Sequence, residues 1–490
     1  MNSSFRSENR RDFGFIRELN RYGDAFHRYW PLITSIGLFF GWLLSFPMQG
    51  PLFGCLVQST GVNPNQLTVT FLLSHFLGLA TGGISGYFFK RFTHWFSLGA
   101  IACLVISLLI ENLSSETWQL YFAIMGFFSG LVVISWGTTF ANSVAFDQRG
   151  RTFILGAVIA NLILYFAITG TRIMDTRLML ITSGLFTAAM PALMLYQNLT
   201  RRPEQNEAIG MKFKTKISSL RFWQVLPFIL SIYAVGGMMY HVVGSLTSPP
   251  PNILSYYALL PYIILLFLAG SLIDISSRRI TAILGAIAVG IGFMSVGLLR
   301  SLLQYIAVQT FLVGGYAFLD TFTWVIVADL SSRRNVPLVY SIIIGTNILA
   351  ITIGVLLGEK IGILANGSET LIVSLAGLFS LVSLAFITKF KDTPRLSSSL
   401  SQNSRSISLA ELSQRASLTP RELEIATLLM TGAGIEDIRE KLVISSNTLK
   451  SHLRNIYRKT GVRNRLEFTL LIMKDSPHNG ELPQNANPKG

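Results

Sequence analysis

The chain has 490 residues, of which 50% are hydrophobic and only 13% are charged. Because about a quarter of the residues of an average soluble domain are charged, this composition excludes an ordinary soluble protein and indicates an integral membrane protein. The formal net charge of +15 favours an anionic partner, either nucleic acid or anionic lipid. Cys55 and Cys103 lie in or beside apolar stretches, which favours two unpaired thiols over a disulfide or a metal site.

The first 27 residues are rich in arginine and lack the apolar core of a cleavable signal peptide. We therefore expect the first membrane span to act as an uncleaved insertion signal. The chain then contains repeated apolar runs of the length, about 20 residues, that crosses a bilayer as a helix. We predict twelve spans, at 29–50, 67–89, 95–111, 118–141, 152–171, 178–197, 223–245, 254–274, 280–299, 301–329, 336–357 and 370–389.

The distribution of Lys and Arg between loops predicts the orientation of these spans, because cytoplasmic loops carry an excess of both residues. Loops after even-numbered spans hold most of them: Lys90, Arg91, Arg149, Arg151, Arg201, Arg202, Lys212, Lys214, Lys216, Arg221, Arg278, Arg279, Arg333 and Arg334. Loops after odd-numbered spans hold only Arg172, Arg177, Arg300 and Lys360. The protein is thus predicted to have both termini in the cytoplasm.

The longest loop predicted to be cytoplasmic, 198–222, divides the spans into two groups of six. After span eight, GSLIDISSRRI resembles a loop signature of the major facilitator superfamily at Gly270, Leu272, Asp274, Arg278 and Arg279. The matching place after span two keeps Gly86 and Arg91 but has Lys90 where the aspartate belongs. The resemblance implies an all-α fold with a facilitator-like 12-helix transmembrane bundle.

Few ionisable residues fall within the predicted spans, and such residues are candidates for function because they are costly in a bilayer. They are His75, His241 and Asp320, with Asn161 and Asn347 as uncharged companions. One interpretation is that these side chains line a central cavity that binds a small molecule. The other is that each makes a hydrogen bond between helices, and the sequence leaves both open.

The composition changes abruptly after the last span. Residues 391–417 include nine serines in 27 positions, which predicts a flexible linker with a mean length of roughly 30 Å. We expect four parts around it: a cytoplasmic N-terminal segment at 1–27, the membrane domain at 28–390, a helical domain at 418–475 and a disordered tail at 476–490.

The C-terminal domain begins with a capping box, in which Thr419 and Glu422 flank a proline at the first helical position. A second helix is expected at 435–442. A third follows with the sequence SSNTLKSHLRNIYRKTG, where Leu449, Leu453 and Ile456 form a stripe spaced for burial. A different face of this helix is basic and small-polar, as DNA binding requires.

This domain resembles the LuxR-type helix-turn-helix domain of bacterial transcription regulators. The matching residues are Leu418, Thr419, Arg421, Glu422, Glu424, Leu428, Leu429, Gly432, Ile438, Leu442, Ile444, Ser445, Thr448, Lys450, His452, Asn455, Ile456, Lys459, Gly461, Val462 and Arg465. There are two departures: Ala426 stands where a leucine usually fills the core, and Arg439 where a small alanine usually lets two helices pack.

The resemblance implies a four-helix domain that binds double-stranded DNA as a homodimer. The face predicted to meet the major groove consists of Thr448, Lys450, Ser451, Arg454 and Arg458. A last helix, 464–474, would pair two copies through Leu466, Leu470 and Met473.

We interpret the chain as a transcription regulator of the bacterial inner membrane whose bundle senses a small molecule. One alternative is a facilitator-type transporter with a regulatory or vestigial DNA-binding tail. Another is a membrane scaffold that binds DNA by charge alone. We predict no cofactor and no enzymatic activity, because we recognise no nucleotide site, nucleophile triad or metal cluster in the sequence.

Overall fold

The computed structural model divides the chain into two compact units, Met1–Asp392 and Thr393–Gly490. The structure describes residues 2–110, 114–200, 219–246, 259–296, 302–331, 335–364, 369–388, 390, 413–414, 416–430, 438–439, 442–462 and 468. Within this part of the chain every regular element is a helix.

The first unit consists of two groups of helices. The first half contains α1 Asn2–Ser45, α2 Pro51–Thr60, α3 Pro64–Phe88, α4 Gly99–Leu109, α5 Trp118–Ser143, α6 Arg149–Ile173, α7 Thr176–Ala188 and α8 Met190–Thr200. The second half contains α9 Ser219–Leu246, α10 Leu259–Ile275, α11 Arg278–Val296, α12 Leu302–Leu330, α13 Val336–Leu364 and α14 Glu369–Ile387. Short 3₁₀ helices cover Lys90–Leu98, Ser115–Thr117 and Phe146–Gln148.

Each predicted span overlaps a helix of this unit. Seven stretches of the described helices are long and apolar enough to cross a membrane, and four shorter apolar helices fall on further predicted spans. The number of crossings, twelve, therefore stays a prediction. Predicted span six is interrupted in the structure, where α7 ends at Ala188 and α8 begins at Met190. Pro191 explains the break, because proline has no N–H to donate to the carbonyl four residues earlier and its ring pushes against that turn.

The two halves meet along two helix pairs, α3 with α13 and α6 with α10. Glycines allow these close approaches. A side chain at Gly83 of α3 would overlap Ser341 of α13, and one at Gly150 of α6 would overlap Ile273 of α10. Small residues at such crossings let helix backbones approach each other, which is how helices associate within lipid.

The N-terminal helix α1 is kinked where it enters the apolar part of the chain. Tyr29 leaves helical geometry, with φ −123° and ψ 15°, and Pro31 follows inside the helix. Proline lacks an N–H and its ring pushes against the preceding turn, so a kink is expected at this point. The predicted N-terminal segment is thus a helix that continues into the first predicted span.

The second unit contains the helices α15 Pro420–Met430 and α16 Ser446–Thr460, which pack on each other. It has its own hydrophobic core, formed by Ile425, Ala426, Leu429, Ile438, Leu442, Leu449, Leu453, Ile456, Val462 and Phe468. The predicted buried stripe of α16 is confirmed, because all three of its residues belong to this core. Most of the predicted linker, most of the predicted second helix and the whole of the predicted tail at 476–490 lie outside the described residues.

Candidate DNA-binding face and membrane cavity

Helix α15 begins with the capping box predicted from the sequence. The backbone N–H of Thr419 donates to Glu422 Oε2 over 2.8 Å, and the backbone N–H of Glu422 donates to Thr419 Oγ1 over 3.3 Å. Two backbone donors at the start of the helix are therefore satisfied by two side chains.

The same Glu422 fixes α16 against α15. Lys459 Nζ lies 2.7 Å from Glu422 Oε2 and 3.1 Å from the carbonyl oxygen of Ser417. Burial acts to raise the pKa of Glu422, but the bonds from Lys459 and Thr419 outweigh it and hold the pKa below the ordinary value of 4.5. Lys459 is thus turned towards the domain, and three basic side chains of α16 remain for a partner.

Helix α16 has a defined start and end. Ser445 Oγ accepts from the backbone N–H of Thr448 over 3.1 Å, and Gly461 ends the helix with φ +71°. These are a serine N-cap and a left-handed glycine C-cap. Val443, in the turn before the helix, also has a positive φ of 51° although it is β-branched, and its side chain is 89% exposed.

All five residues predicted to meet DNA are exposed on α16: Thr448, Lys450, Ser451, Arg454 and Arg458. The three basic residues recur every four positions, so they follow one side of the helix over about 12 Å, a length similar to the width of the DNA major groove. Within the described residues, no carboxylate lies within 4.0 Å of these basic groups. The face is therefore positive, exposed and rigidly supported.

The two departures from the helix-turn-helix pattern have different surroundings. Ala426 is fully buried in the core of the second unit. Arg439 is half-buried, and its carbonyl oxygen accepts from the backbone N–H of Ile444 over 3.2 Å in the turn before α16. The predicted pairing residues Leu466, Leu470 and Met473 lie outside the described residues.

The membrane unit contains a cavity of about 580 Å³ that lies between its two halves. Residues from α1, α3, α5 and α6 line one side, and residues from α9, α10, α12 and α13 line the other. Four of the five predicted ligand-binding residues are brought together here: His75, Asn161, Asp320 and Asn347. The side chain of His241, the fifth, lies outside the described residues.

Asp320 is held in the cavity by two tyrosines that the sequence did not single out. Tyr233 Oη donates to Asp320 Oδ1 and Tyr262 Oη donates to Asp320 Oδ2, each over 2.7 Å. The three side chains come from α12, α9 and α10. Tyrosines are common in apolar spans, so their pairing with Asp320 depends on tertiary proximity and gave no local sequence signal.

Two other polar residues of the cavity, His75 and Asn161, are bonded within their own half. His75 Nδ1 lies 2.6 Å from Ser129 Oγ, whose hydroxyl can donate to the carbonyl oxygen of Gly126 over 2.7 Å. Asn161 Nδ2 donates to the carbonyl oxygen of Ala157 over 2.8 Å. In the described part of the chain these bonds join α3 to α5 and α6 to itself. They support the hydrogen-bonding interpretation for His75 and Asn161 without removing either from the cavity wall.

Buried ions join the two halves at one end of the bundle. We call Arg149, Arg151, Asp274, Arg278 and Asp329 the inter-half ion cluster. Asp329 Oδ1 lies 2.6 Å from Arg149 Nη1, and Asp329 Oδ2 lies 2.8 Å from Arg278 Nε. Asp274 accepts from the backbone N–H groups of Gly150 and Arg151 over 2.8 and 2.9 Å. The signature residue Asp274 thus holds the second half against the start of α6, and Arg278 holds Asp329, which pairs with Arg149 of the first half.

The N-terminal helix extends these contacts. Glu18 Oε2 lies 2.8 Å from Arg151 Nη2, and Tyr22 Oη donates to the carbonyl oxygen of Phe267 over 2.8 Å. Arg151 belongs to the first half and Phe267 to the second. Helix α1 therefore contacts both halves beside the inter-half ion cluster.

Comparison with known proteins identifies the class of each part. Residues 416–472 match the family model "Bacterial regulatory proteins, luxR family". Over 54 residues the chain is 44% identical to the CsgBAC operon transcriptional regulatory protein of Escherichia coli K12. Over 57 residues it is 37% identical to the HTH-type transcriptional regulator MalT of Vibrio campbellii. These alignments cover 11% and 12% of this chain, and about a quarter and 6% of the two relatives.

The membrane unit matches solved structures by fold. The human organic anion transporter MFSD10 superimposes with a TM-score of 0.60 and 14% identity, over 74% of this chain and 99% of that one. A double-tryptophan mutant of XylE superimposes with a TM-score of 0.60 and 15% identity, over 76% of this chain and 97% of that one. The chain therefore combines a membrane bundle of the major facilitator fold with a C-terminal LuxR-type helix-turn-helix domain.

Proposed function

We propose that this protein is a bacterial transcription regulator that is embedded in the inner membrane and binds promoter DNA through α16. The observation that carries the proposal is the exposed basic face of this helix, which the capped start and the buried stripe hold in a fixed orientation. Basic groups contact phosphates and guanine edges, while Thr448 and Ser451 are small enough to let the helix approach the bases closely.

Both termini would lie in the cytoplasm, where DNA is available. The excess of Lys and Arg in alternate predicted loops supports this orientation. Residues 391–417 would then tether the DNA-binding domain to the membrane by a linker with a mean length of roughly 30 Å. Since one small module binds DNA weakly, two copies would act together, paired through Leu466, Leu470 and Met473.

The bundle would supply the signal. The two halves would adopt more than one arrangement, and both line the cavity. A ligand stabilises the arrangement that contacts it better, and so increases the population of that state. Opening at the inter-half ion cluster would move α1 and the end of α14, from which the linker starts. The pairing of two DNA-binding domains would change in response. No chemical reaction is part of this proposal.

Transport is the second candidate, and the facilitator fold with its central cavity favours it. Measuring solute uptake distinguishes the two functions. A transporter would move a solute across the membrane of proteoliposomes that contain residues 1–395. A sensor would bind the solute without net uptake.

The primary test is DNA binding by the full-length protein in lipid nanodiscs. Chromosomal fragments enriched with the protein should bind it with a dissociation constant that rises steeply with salt, because each phosphate contact releases counterions. Binding that depends on salt but not on sequence would favour the scaffold. An absence of DNA binding even at low salt would refute the regulator.

A further inference from the structure

The cavity of the membrane unit has a charge pattern that defines the class of its ligand. Among the described residues that line it, Asp320 is the one carboxylate, and no lysine or arginine is present. Within the described part of the chain, no Lys, Arg or His nitrogen lies within 4.0 Å of this carboxylate. Asp320 is half-buried, and a carboxylate that is partly removed from water without a cation is costly, so a cationic ligand would offset part of that cost.

The two tyrosines prepare Asp320 to receive such a ligand. Each hydroxyl donates to a different carboxylate oxygen, so both oxygens are fixed in position and the negative charge is stabilised. A carboxylate can accept about four hydrogen bonds, and two therefore remain for donors in the cavity. Tyr233 and Tyr262 act here as positioning residues, because they orient the group that would touch the ligand.

Aromatic rings surround the space beside this carboxylate. Tyr316, Asp320 and Trp324 recur every four residues on α12, and all three line the cavity. The Trp324 ring stacks on Phe153 at 5.9 Å and meets Phe40 edge-on at 5.3 Å. Both partners line the cavity from the first half. An aromatic wall next to a carboxylate suits an organic cation, because the ring faces attract positive charge and bury an apolar body.

The far wall offers hydrogen-bond acceptors. Since the Ser129 hydroxyl donates to Gly126, its oxygen accepts from His75 Nδ1–H, which leaves Nε2 of a neutral imidazole as an acceptor. The side-chain oxygen of Asn161 is likewise left as an acceptor by the bond that its nitrogen makes. These acceptors can receive hydrogen bonds from N–H groups of a ligand, and no Lys or Arg among the described lining residues would repel a positive charge.

We propose that the cavity binds an organic monocation, a protonated amine with an aromatic or aliphatic body, whose ammonium group pairs with Asp320. The inference deepens the proposed function and rests on it for what the bound cation controls. It differs from the ligand class named for MFSD10, an organic anion transporter, because the charge that lines this cavity is negative.

The test compares three probes of one size that differ in charge: 3-phenylpropylamine, 3-phenylpropanol and 3-phenylpropionate. Each is titrated by calorimetry into full-length protein in nanodiscs without DNA. The amine should bind about tenfold or more tightly than the alcohol, as expected for hydrogen bonds to a charged group, and the carboxylate most weakly. Equal binding of amine and alcohol, preference for the carboxylate or no binding by any probe would overturn the proposal.

Two variants locate the effect. Asp320→Asn should lose at least about tenfold in amine affinity while alcohol binding stays unchanged, which also shows that the cavity remains folded. Asp147→Asn removes an exposed carboxylate that does not line the cavity and should leave all three affinities unaltered. Unchanged amine binding by Asp320→Asn would overturn the assignment. Amine binding with no DNA binding would instead leave this inference standing and refute the regulator.

Discussion

The membrane unit and the DNA-binding unit use charged residues in opposite ways. In the inter-half ion cluster, the side chains of Arg278 and Asp329 are 2% and 1% exposed and pair with each other within the second half. Asp329 also pairs with Arg149 of the first half. On α16, Lys450, Arg454 and Arg458 are exposed, and no described carboxylate pairs with them. Buried pairs hold one arrangement of the protein, whereas exposed unpaired charges are available to an external partner. Asp320 lies between these two cases, since it is half-buried in the cavity and has no described cation within 4.0 Å.

The largest effect is expected from breaking a buried pair. Arg278→Ala would remove one of the two guanidinium groups beside Asp329 and one of the two beside Asp274, leaving Arg149 and Arg151, which should destabilise the bundle by about 3–5 kcal/mol. Thermal unfolding of the full-length protein in detergent would show this as a large fall in midpoint. The neighbouring Arg279→Ala, whose guanidinium donates to the carbonyl oxygen of Thr388, should cause a smaller fall. Equal effects of the two variants would contradict the role given to the cluster.

The second prediction concerns the exposed charges. Lys450→Ala together with Arg454→Ala should weaken DNA binding roughly 10- to 100-fold at low salt and reduce the salt slope by about two per domain. Stability should be unchanged, because both side chains are exposed. Arg201→Ala with Arg202→Ala removes the same charge from a different predicted loop and serves as the control. A control that weakens binding as much would mean that net charge, and not this face, binds DNA.

A buried charge in the DNA-binding unit gives the third prediction. The pKa of Glu422 is lowered in the folded domain, so its contribution to stability is complete above 4.5 and is lost as the pH falls through the folded value. The free energy of unfolding of residues 391–490, measured with urea, should therefore decrease below about pH 4.5. Glu422→Gln should lower the free energy of unfolding by about 1–2 kcal/mol at pH 7 and make it depend less on pH. Glu424→Gln, at a side chain that is 51% exposed, should do neither.

The smallest effect is a gain in stability. Val443 is β-branched, exposed and in the left-handed region, where such residues are strained by about 1 kcal/mol. Val443→Asn should raise the free energy of unfolding by about that amount, because asparagine tolerates this conformation. Val443→Ile keeps the branching and should give no gain. A loss of stability in the asparagine variant would show that Val443 makes a contact that outweighs the strain.

Local patterns in the sequence predicted the features that local interactions determine. The capping box at Thr419 and the buried stripe of α16 depend on residues three to seven positions apart, and both are confirmed. Asp320 was likewise predictable as a candidate, because an acid within an apolar run is rare. Its position in the cavity agrees with that interpretation, although ligand binding itself stays a prediction.

The features that escaped prediction join distant parts of the chain. Tyr233 and Asp320 are separated by 87 positions, and Arg149 and Asp329 by 180. Tyrosine and arginine are ordinary residues in apolar spans and basic loops, so their roles appear only when the helices are packed. The break between α7 and α8 was missed for a different reason, since hydrophobicity alone does not report the effect of Pro191.

The contacts of α1 also have a practical consequence for biophysical work on this protein. Glu18 reaches Arg151 in the first half, while Tyr22 reaches Phe267 in the second. A rearrangement of the halves must therefore stretch or release the segment around these residues. A fluorophore or spin label at Leu19, which is 60% exposed between them, would report the state of the bundle without touching the cavity or the DNA-binding face. For the same reason, affinity tags are better fused to the C-terminus.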